Sequence, residues 1–487
     1  MKSKDRNARA ARRHSRGMIA TSALLALALL TGCGANLPAA ENATPAPDAA
    51  PDAAPDITPE TTSDTSLMSG NAPKAISLAA YPETVPFPDW DASDAQEQYK
   101  LWQDNLSALR PEAGFADGLE NYWKASLSAL LEGEAGKNRA CSPVNVYMAL
   151  AMLAECAAGE SREQILSLLG AEDIESLRAQ ASALWRACYR NDGTVTDILA
   201  SSLWLRDDLP YVETALQSLA EHYYASAYSG SMGSEEYNEL FRKWLNENTG
   251  NLLSDQVSDL GFDPSTLLAL ATTVYFQASW EDAFSAENTA PDTFHALSGD
   301  LTHDFMHQTY SGEYFEGDGF RAVTKQLGNG GGKMWFFLPD EGVSVDTLPE
   351  NTQLVSLLYT PDAQNQGKST RIDLSLPKFD VSAQTDLTAP LKSLGITDVF
   401  SPERADFSPV FGEMEDELLP YLSDALHGVR VVVDEEGVTA AAYTVLMLRN
   451  AAFMPDEPID FTLDRPFLFA ITSEDGIPLF AGIVHQP

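Results

Sequence analysis

Basic residues are scarce in this chain: 31 Lys and Arg stand against 71 Asp and Glu, a formal net charge of −40. An acidic surface gains no counterion release and repels phosphate at long range, so nucleic-acid binding is excluded and a cationic partner is favoured. Cysteine is also sparse. Cys33 lies near the N-terminus and Cys141, Cys156 and Cys188 are scattered without CxxC spacing, so no zinc or thiol redox site is indicated. Those three read as small apolar core residues, with one disulfide left open. Hydrolase motifs are missing too: no GxSxG occurs, and "GSMGS" (230–234) lacks its spacing. "GNGGGK" (328–333) has neither the spacing of a phosphate loop nor its following Ser or Thr, and it leads into a strand-like run, so a flexible hairpin loop is expected. "HDFMH" (303–307) lacks the Glu of HExxH and does not look helical. These motifs give no sign of hydrolase chemistry, of a cofactor or of a metal. It carries no repeat of fixed period.

The longest uniformly apolar run near the N-terminus, "MIATSALLALALL" (18–30), is too short to span a bilayer comfortably. Preceded by Lys2, Lys4, Arg6, Arg9, Arg12, Arg13 and Arg16, it reads as an export signal. It ends in "LTGC", which resembles the lipobox of bacterial lipoproteins, where the signal is cut before the cysteine and the thiol receives a diacylglycerol. Residues 1–32 are then a signal peptide, Cys33 is the lipidation site, and two acyl chains suffice for stable anchoring. The other reading is an ordinary secreted protein with a chance cysteine. Residues 41–66, "ENATPAPDAAPDAAPDITPETTSDTS", cannot bury a core, so 33–91 are assigned to the lipidated cysteine and a linker. The expected organisation is an exported, membrane-anchored chain whose folded part, 92–487, lies outside the cytoplasm.

Within that part, residues 118–133 place Leu119, Tyr122, Trp123, Ser126, Leu127, Leu130 and Leu131 on one helical stripe. Residues 145–159, "NVYMALAMLAECAAG", are apolar nearly all round, as in a helix buried inside a large domain. Residues 267–280, 333–339, 372–379 and 466–472 are rich in aromatic and β-branched residues and read as strands. An α+β domain with large, mostly antiparallel sheets follows. One segment fits neither pattern. Residues 434–458, "DEEGVTAAAYTVLMLRNAAFMPDEP", connect two strand-like runs, yet are too long for a hairpin and too apolar for a solvent loop.

"NRACSPVNVYMALAMLAECAAGESREQILSLLG" (138–170), "VYFQASW" (274–280), "LPKFDVSAQTDLTAPLKSLGITDVFSPERADFS" (376–408), "LSDALHGVRVVVDEEGVTAAA" (422–442) and "DRPFLFAI…PLFAGIVHQP" resemble, in order, segments of the serpin family. The resemblance implies helices around three β-sheets and a long exposed reactive-centre loop, here about 435–458. It also implies a suicide mechanism: a protease cleaves the loop, the freed end inserts as a strand in the central sheet, and the trapped acyl-enzyme is distorted. The residues suit insertion. Val438, Ala440, Ala442, Thr444, Leu446 and Leu448 form one uncharged face, while Thr439, Ala441, Tyr443, Val445, Met447 and Arg449 form the other. The hinge is assigned to Glu435, Glu436, Gly437, Val438, Thr439, Ala440, Ala441 and Ala442, with Gly437 as the backbone pivot. Family hinges usually carry Thr or Ser where Val438 stands and a smaller residue where Tyr443 stands.

Ser142, Pro143, Thr272 and His427 match the family's shutter, where side chains hydrogen-bond beneath the opening sheet. Thr272 replaces the usual Asn and brings a hydroxyl in place of an amide. Counting from Gly437 by the family's loop length places the scissile bond at Ala451–Ala452; counting back from Pro466 moves it toward Pro455. Ala451 suits the shallow apolar pocket of an elastase-like or subtilisin-like protease, whereas cleavage after Arg449 would suit a trypsin-like pocket. The expected partner is a serine protease, with a cysteine protease as the variant, and the inhibitor is expected to be a monomer. The competing reading is a serpin-fold protein that binds a ligand or partner and inhibits nothing.

Overall fold

The computed structural model describes residues 72–487 except 365, 413, 415–419, 424 and 439–456. These lie in one compact unit, Ala54–Pro487. Its scaffold is a buried helix beneath two strand networks. That helix, Pro143–Cys156, begins where Ser142 Oγ accepts the Asn145 N–H at 3.3 Å and Pro143 occupies its first turn. All but one of its residues are buried, which agrees with a sequence apolar on every side. It packs against strands Leu268–Ser279 and Pro478–Val484, so its N-terminal cap lies where those two layers meet.

The central sheet runs in the order Lys74–Ser77, Ala225–Gly230, Val195–Arg206, Leu268–Ser279, Gly437–Val438, Leu426–Val433 and Phe379–Asp386, with Arg190–Asn191 paired onto Val195–Arg206. Every pairing is antiparallel except that between Val195–Arg206 and Ala225–Gly230. The second network runs Ile459–Thr462, Lys368–Pro377, Gly299–Gly317, Phe320–Gln326, Lys333–Pro339, Phe467–Thr472, Pro478–Val484 and Arg139–Cys141, with Thr289–Ala296 alongside Gly299–Gly317. The three sheets implied by the resemblance thus form two hydrogen-bonded networks, because the 19-residue strand Gly299–Gly317 runs from one sheet into the next.

The folded unit starts earlier than the expected boundary at 92. Lys74–Ser77 pairs antiparallel with Ala225–Gly230 at the sheet edge, and the Tyr81 ring packs 5.1 Å from Trp185 and 5.7 Å from Tyr189. The physical reason is that Ile76 and Tyr81 supply what the Pro/Ala/Asp-rich stretch lacks, apolar groups able to bind an existing core. Cys141, Cys156 and Cys188 are free and buried, and burial pushes each thiol pKa up, as expected of inert core residues. His303 and His307 lie on the strand Gly299–Gly317, where their rings bond the Lys378 carbonyl and Ser375 Oγ, both at 2.8 Å. The glycine-rich run makes a tight turn into Lys333–Pro339.

Candidate functional site

The strand Leu426–Val433 is buried on alternate residues and leads directly into a tight turn at Asp434–Gly437. The Asp434 carboxylate accepts the N–H groups of Glu436 at 2.9 Å and Gly437 at 3.2 Å, while the Asp434 N–H donates to the Gly437 carbonyl at 3.1 Å. Short polar side chains favour such turns by bonding their own backbone two residues on. The turn is clamped from outside. Trp280 donates its backbone N–H to the Glu436 carbonyl and its indole N–H to the Asp434 carbonyl, both at 2.9 Å, and the Phe284 N–H donates to the Glu435 carbonyl at 3.0 Å. Glu435 itself accepts from the Lys378 ammonium at 2.8 Å and from the Thr289 hydroxyl at 2.9 Å. Partial burial works against its ionisation, but the Lys378 ammonium, a backbone N–H and the Thr289 hydroxyl outweigh it and hold the carboxyl below its ordinary range. The same hydrogen bond raises Lys378.

After the turn, Gly437 and Val438 form a two-residue strand between two others. Gly437 pairs with Ser279, and Val438 pairs with both Ala278 and Val433. Val438 is buried at 2% exposure, which places the first residue of the uncharged face in the core. Glycine is required at 437 because of close approach: a Cβ would meet the Ala278 carbonyl oxygen and come within 2.7 Å of Ser279 Cα. Among the described residues, Gly437–Val438 is the only strand joining Leu268–Ser279 to Leu426–Val433. The former is otherwise paired with Val195–Arg206 and the latter with Phe379–Asp386. Thr439, Ala440, Ala441, Ala442, Arg449, Ala451 and Ala452 lie outside the described residues, as does Cys33.

Further along the same two strands lies a small cleft whose lining includes Ser142, Asn145, Val274, Gly428, Val429 and Phe480. The predicted shutter residues converge beside it. His427 Nε2 accepts the Ser142 backbone N–H at 2.9 Å, while the Ser142 hydroxyl is turned to cap the helix. His427 is buried, and desolvation lowers its pKa to about 4, so it is a neutral acceptor. The resemblance implies side-chain hydrogen bonds in this joint; the backbone supplies those of Ser142 to His427 and of Thr272 and Pro143 to their partners. Thr272 contributes its carbonyl, which accepts from Asn145 Nδ2 at 3.4 Å. The sequence reading missed Asn145, whose Oδ1 is buried with no hydrogen-bond partner among the described residues. An amide three residues into an otherwise apolar helix was the available signal. Pro143 also joins in, its carbonyl accepting the Tyr122 hydroxyl at 2.9 Å.

Two long strands, Leu268–Ser279 and Leu426–Val433, joined through Gly437–Val438 and lying over a polar joint on a buried helix, define the fold around this site. The family model described as "Serpin (serine protease inhibitor)" matches residues 125–487. Serpin-Z2A of Triticum aestivum is 30% identical over 367 residues, covering 72% of this chain and 90% of that protein. Plasminogen activator inhibitor 1 of Sus scrofa is 28% identical over 410 residues, covering 77% and 96%. Among solved structures, the thermophilic serpin Tengpin in its native state superposes with a TM-score of 0.68 at 25% identity, covering 78% of this chain and 95% of that one. The native Arabidopsis AtSerpin1 superposes with a TM-score of 0.65 at 24% identity, which bears on the fold alone. The chain belongs to the serpin family, a family of serine protease inhibitors, and has its fold.

Proposed function

We propose that this serpin is a suicide inhibitor of a serine protease with a small apolar specificity pocket, cut at Ala451–Ala452 and tethered to the cell envelope through a lipid on Cys33. The observation that carries the reading is the position of Gly437–Val438, already paired between Leu268–Ser279 and Leu426–Val433. Continuing that register one residue at a time would bring Val445 opposite Leu426 and Leu448 opposite Leu268, the ends of the two flanking strands. The uncharged stretch 438–448 therefore has the length of the available edges, and the first charge, Arg449, falls just beyond them. Successive inserted residues would satisfy backbone groups on the two neighbours in turn, which is the driving force of strand addition.

The test is to mix the soluble portion, without signal and lipidated cysteine, with an elastase, a subtilisin and a trypsin. A covalent band at the summed mass on a denaturing gel, with a released peptide starting at Ala452, is the expected result. A peptide starting at Asn450 with trypsin would move the reactive bond to Arg449. Clean cleavage by all three, with no such band and no gain in heat stability of the cut chain, would overturn the reading and leave a serpin-fold binding protein.

A further inference from the structure

Lys325 is fully buried in an otherwise apolar layer, and its surroundings are unusual for a lysine. Its ammonium lies 4.6 Å from the ring centre of Phe284, 4.7 Å from that of Tyr310 and 5.5 Å from that of Trp280. It donates to the Asp282 carbonyl at 2.8 Å and to Gln308 Oε1 at 2.5 Å, and Gln308 Nε2 in turn holds the Ala283 carbonyl at 3.1 Å. Every one of these contacts except those to Tyr310 and Gln308 belongs to residues 280–284. That is the same segment whose Trp280 and Phe284 N–H groups clamp the hinge turn. A cation in an aromatic box with two oxygen acceptors is a specific arrangement, and a neutral side chain would not need it.

We infer that Lys325 is a positioning residue for loop insertion: its ammonium is packed among residues 280–284 where they clamp the hinge turn, and opening the sheet at Gly437 returns that charge to water, so the charge favours opening. The inference rests on the insertion reading above. Widening the gap between Leu268–Ser279 and Leu426–Val433 must move Trp280, which ends the first strand and bonds the turn after the second. Moving Trp280 opens one wall of the box.

The arrangement predicts a pH profile. Burial lowers the Lys325 pKa to about 8 from an ordinary 10.5, despite the opposing pull of the Asp282 and Glu281 carboxylates. The phenol of Tyr310 also faces it, and burial pushes that pKa up. Beyond the rings lie Asp434, Glu435 and Glu436 of the turn, with Lys378. Between pH 8 and 10.5 the closed box has lost its proton while an opened, hydrated lysine keeps one, so raising the pH favours the closed state and slows opening.

The experiment adds an end-capped peptide copying residues 438–449 to the intact soluble chain and follows its annealing by tryptophan fluorescence, with gain of heat resistance as the end point. For the wild type, the annealing rate should fall about twentyfold from pH 7.5 to 9.5. In Lys325→Met the profile should be flat; in Lys325→Arg, which stays charged, the rate should hold its pH 7.5 value. A wild-type fall reproduced in Lys325→Met, or persisting undiminished in Lys325→Arg, would overturn the assignment. If no variant gains heat resistance with the peptide or after loop cleavage, the insertion reading itself fails, a result distinct from an unaltered pH profile.

Discussion

Lowering the pH from 7 to 5 tests the joint at His427. The imidazole Nε2 accepts the Ser142 N–H at 2.9 Å in a buried site, so a proton on that nitrogen would set two N–H groups facing each other without water. Its folded-state pKa is about 4, against 6.5 when exposed. In that interval the unfolded chain binds a proton that the folded chain refuses. The stabilisation is therefore complete above about pH 6.5 and is lost as pH falls toward 4. With those two values, the loss is about 2 kcal/mol between pH 7 and pH 5 and about 3 kcal/mol by pH 4. Urea unfolding at pH 5, 6 and 7 measures it, with His427→Gln as the comparison, because the glutamine Oε1 can accept the same N–H and does not titrate. The variant should lack about 2 kcal/mol of the wild-type decline across this window. Parallel declines in the two proteins would refute the reasoning, since some other group would then carry the pH dependence.

Gly437→Ala should cost about 1–3 kcal/mol by forcing a methyl group into the backbone at Ala278 and Ser279, and it should divert the protease reaction from trapping to simple cleavage, measured as more inhibitor consumed per enzyme. Glu435→Gln should lower the unfolding free energy by about 1 kcal/mol, a modest figure because the Lys378 end of the pair is 38% exposed. A double-mutant cycle with Lys378→Met should show the two changes to be non-additive. The loop-cleavage map and the Lys325 pH profile complete the set.

Much of this was legible in the sequence. The strand-like run before residue 434 was legible in its β-branched residues, and Leu426–Val433 is a strand there. The Ser142–Pro143 pair was legible through the resemblance and Gly437 as a backbone pivot; the structure adds a helix cap at the first and a close backbone approach at the second. What stayed hidden depends on partners distant in the chain. Lys325 lies in "AVTKQ", where a lysine between polar neighbours reads as solvated; only the folding of residues 280–284 and Gly299–Gly317 around it makes it buried. Thr289 reaches Glu435 from the strand Thr289–Ala296 and Lys378 from the link between Lys368–Pro377 and Phe379–Asp386, and no spacing within the hinge announces them. Residues 74–77 read as linker because they follow a compositionally biased tract, and a four-residue edge strand is too short to assert its own period. Thr272 misled in another way: its identity drew attention to a hydroxyl, whereas its carbonyl makes the contact.

The two-residue strand at Gly437–Val438 has a kinetic meaning. In forming ordered structure the first pairing is the costly event, since several dihedral angles are fixed before much bonding is gained, and later residues add on more cheaply. Here that first pairing already exists in the intact chain, held by Val438 between Ala278 and Val433. Insertion would then proceed as a zipper from a closed end, with no search for a starting point. Its slow step would lie further along, where the advancing strand must part the joint formed by Asn145, Thr272 and His427. The speed that decides whether a protease is caught or escapes would accordingly be set at the polar joint, some distance from the bond that the protease cuts.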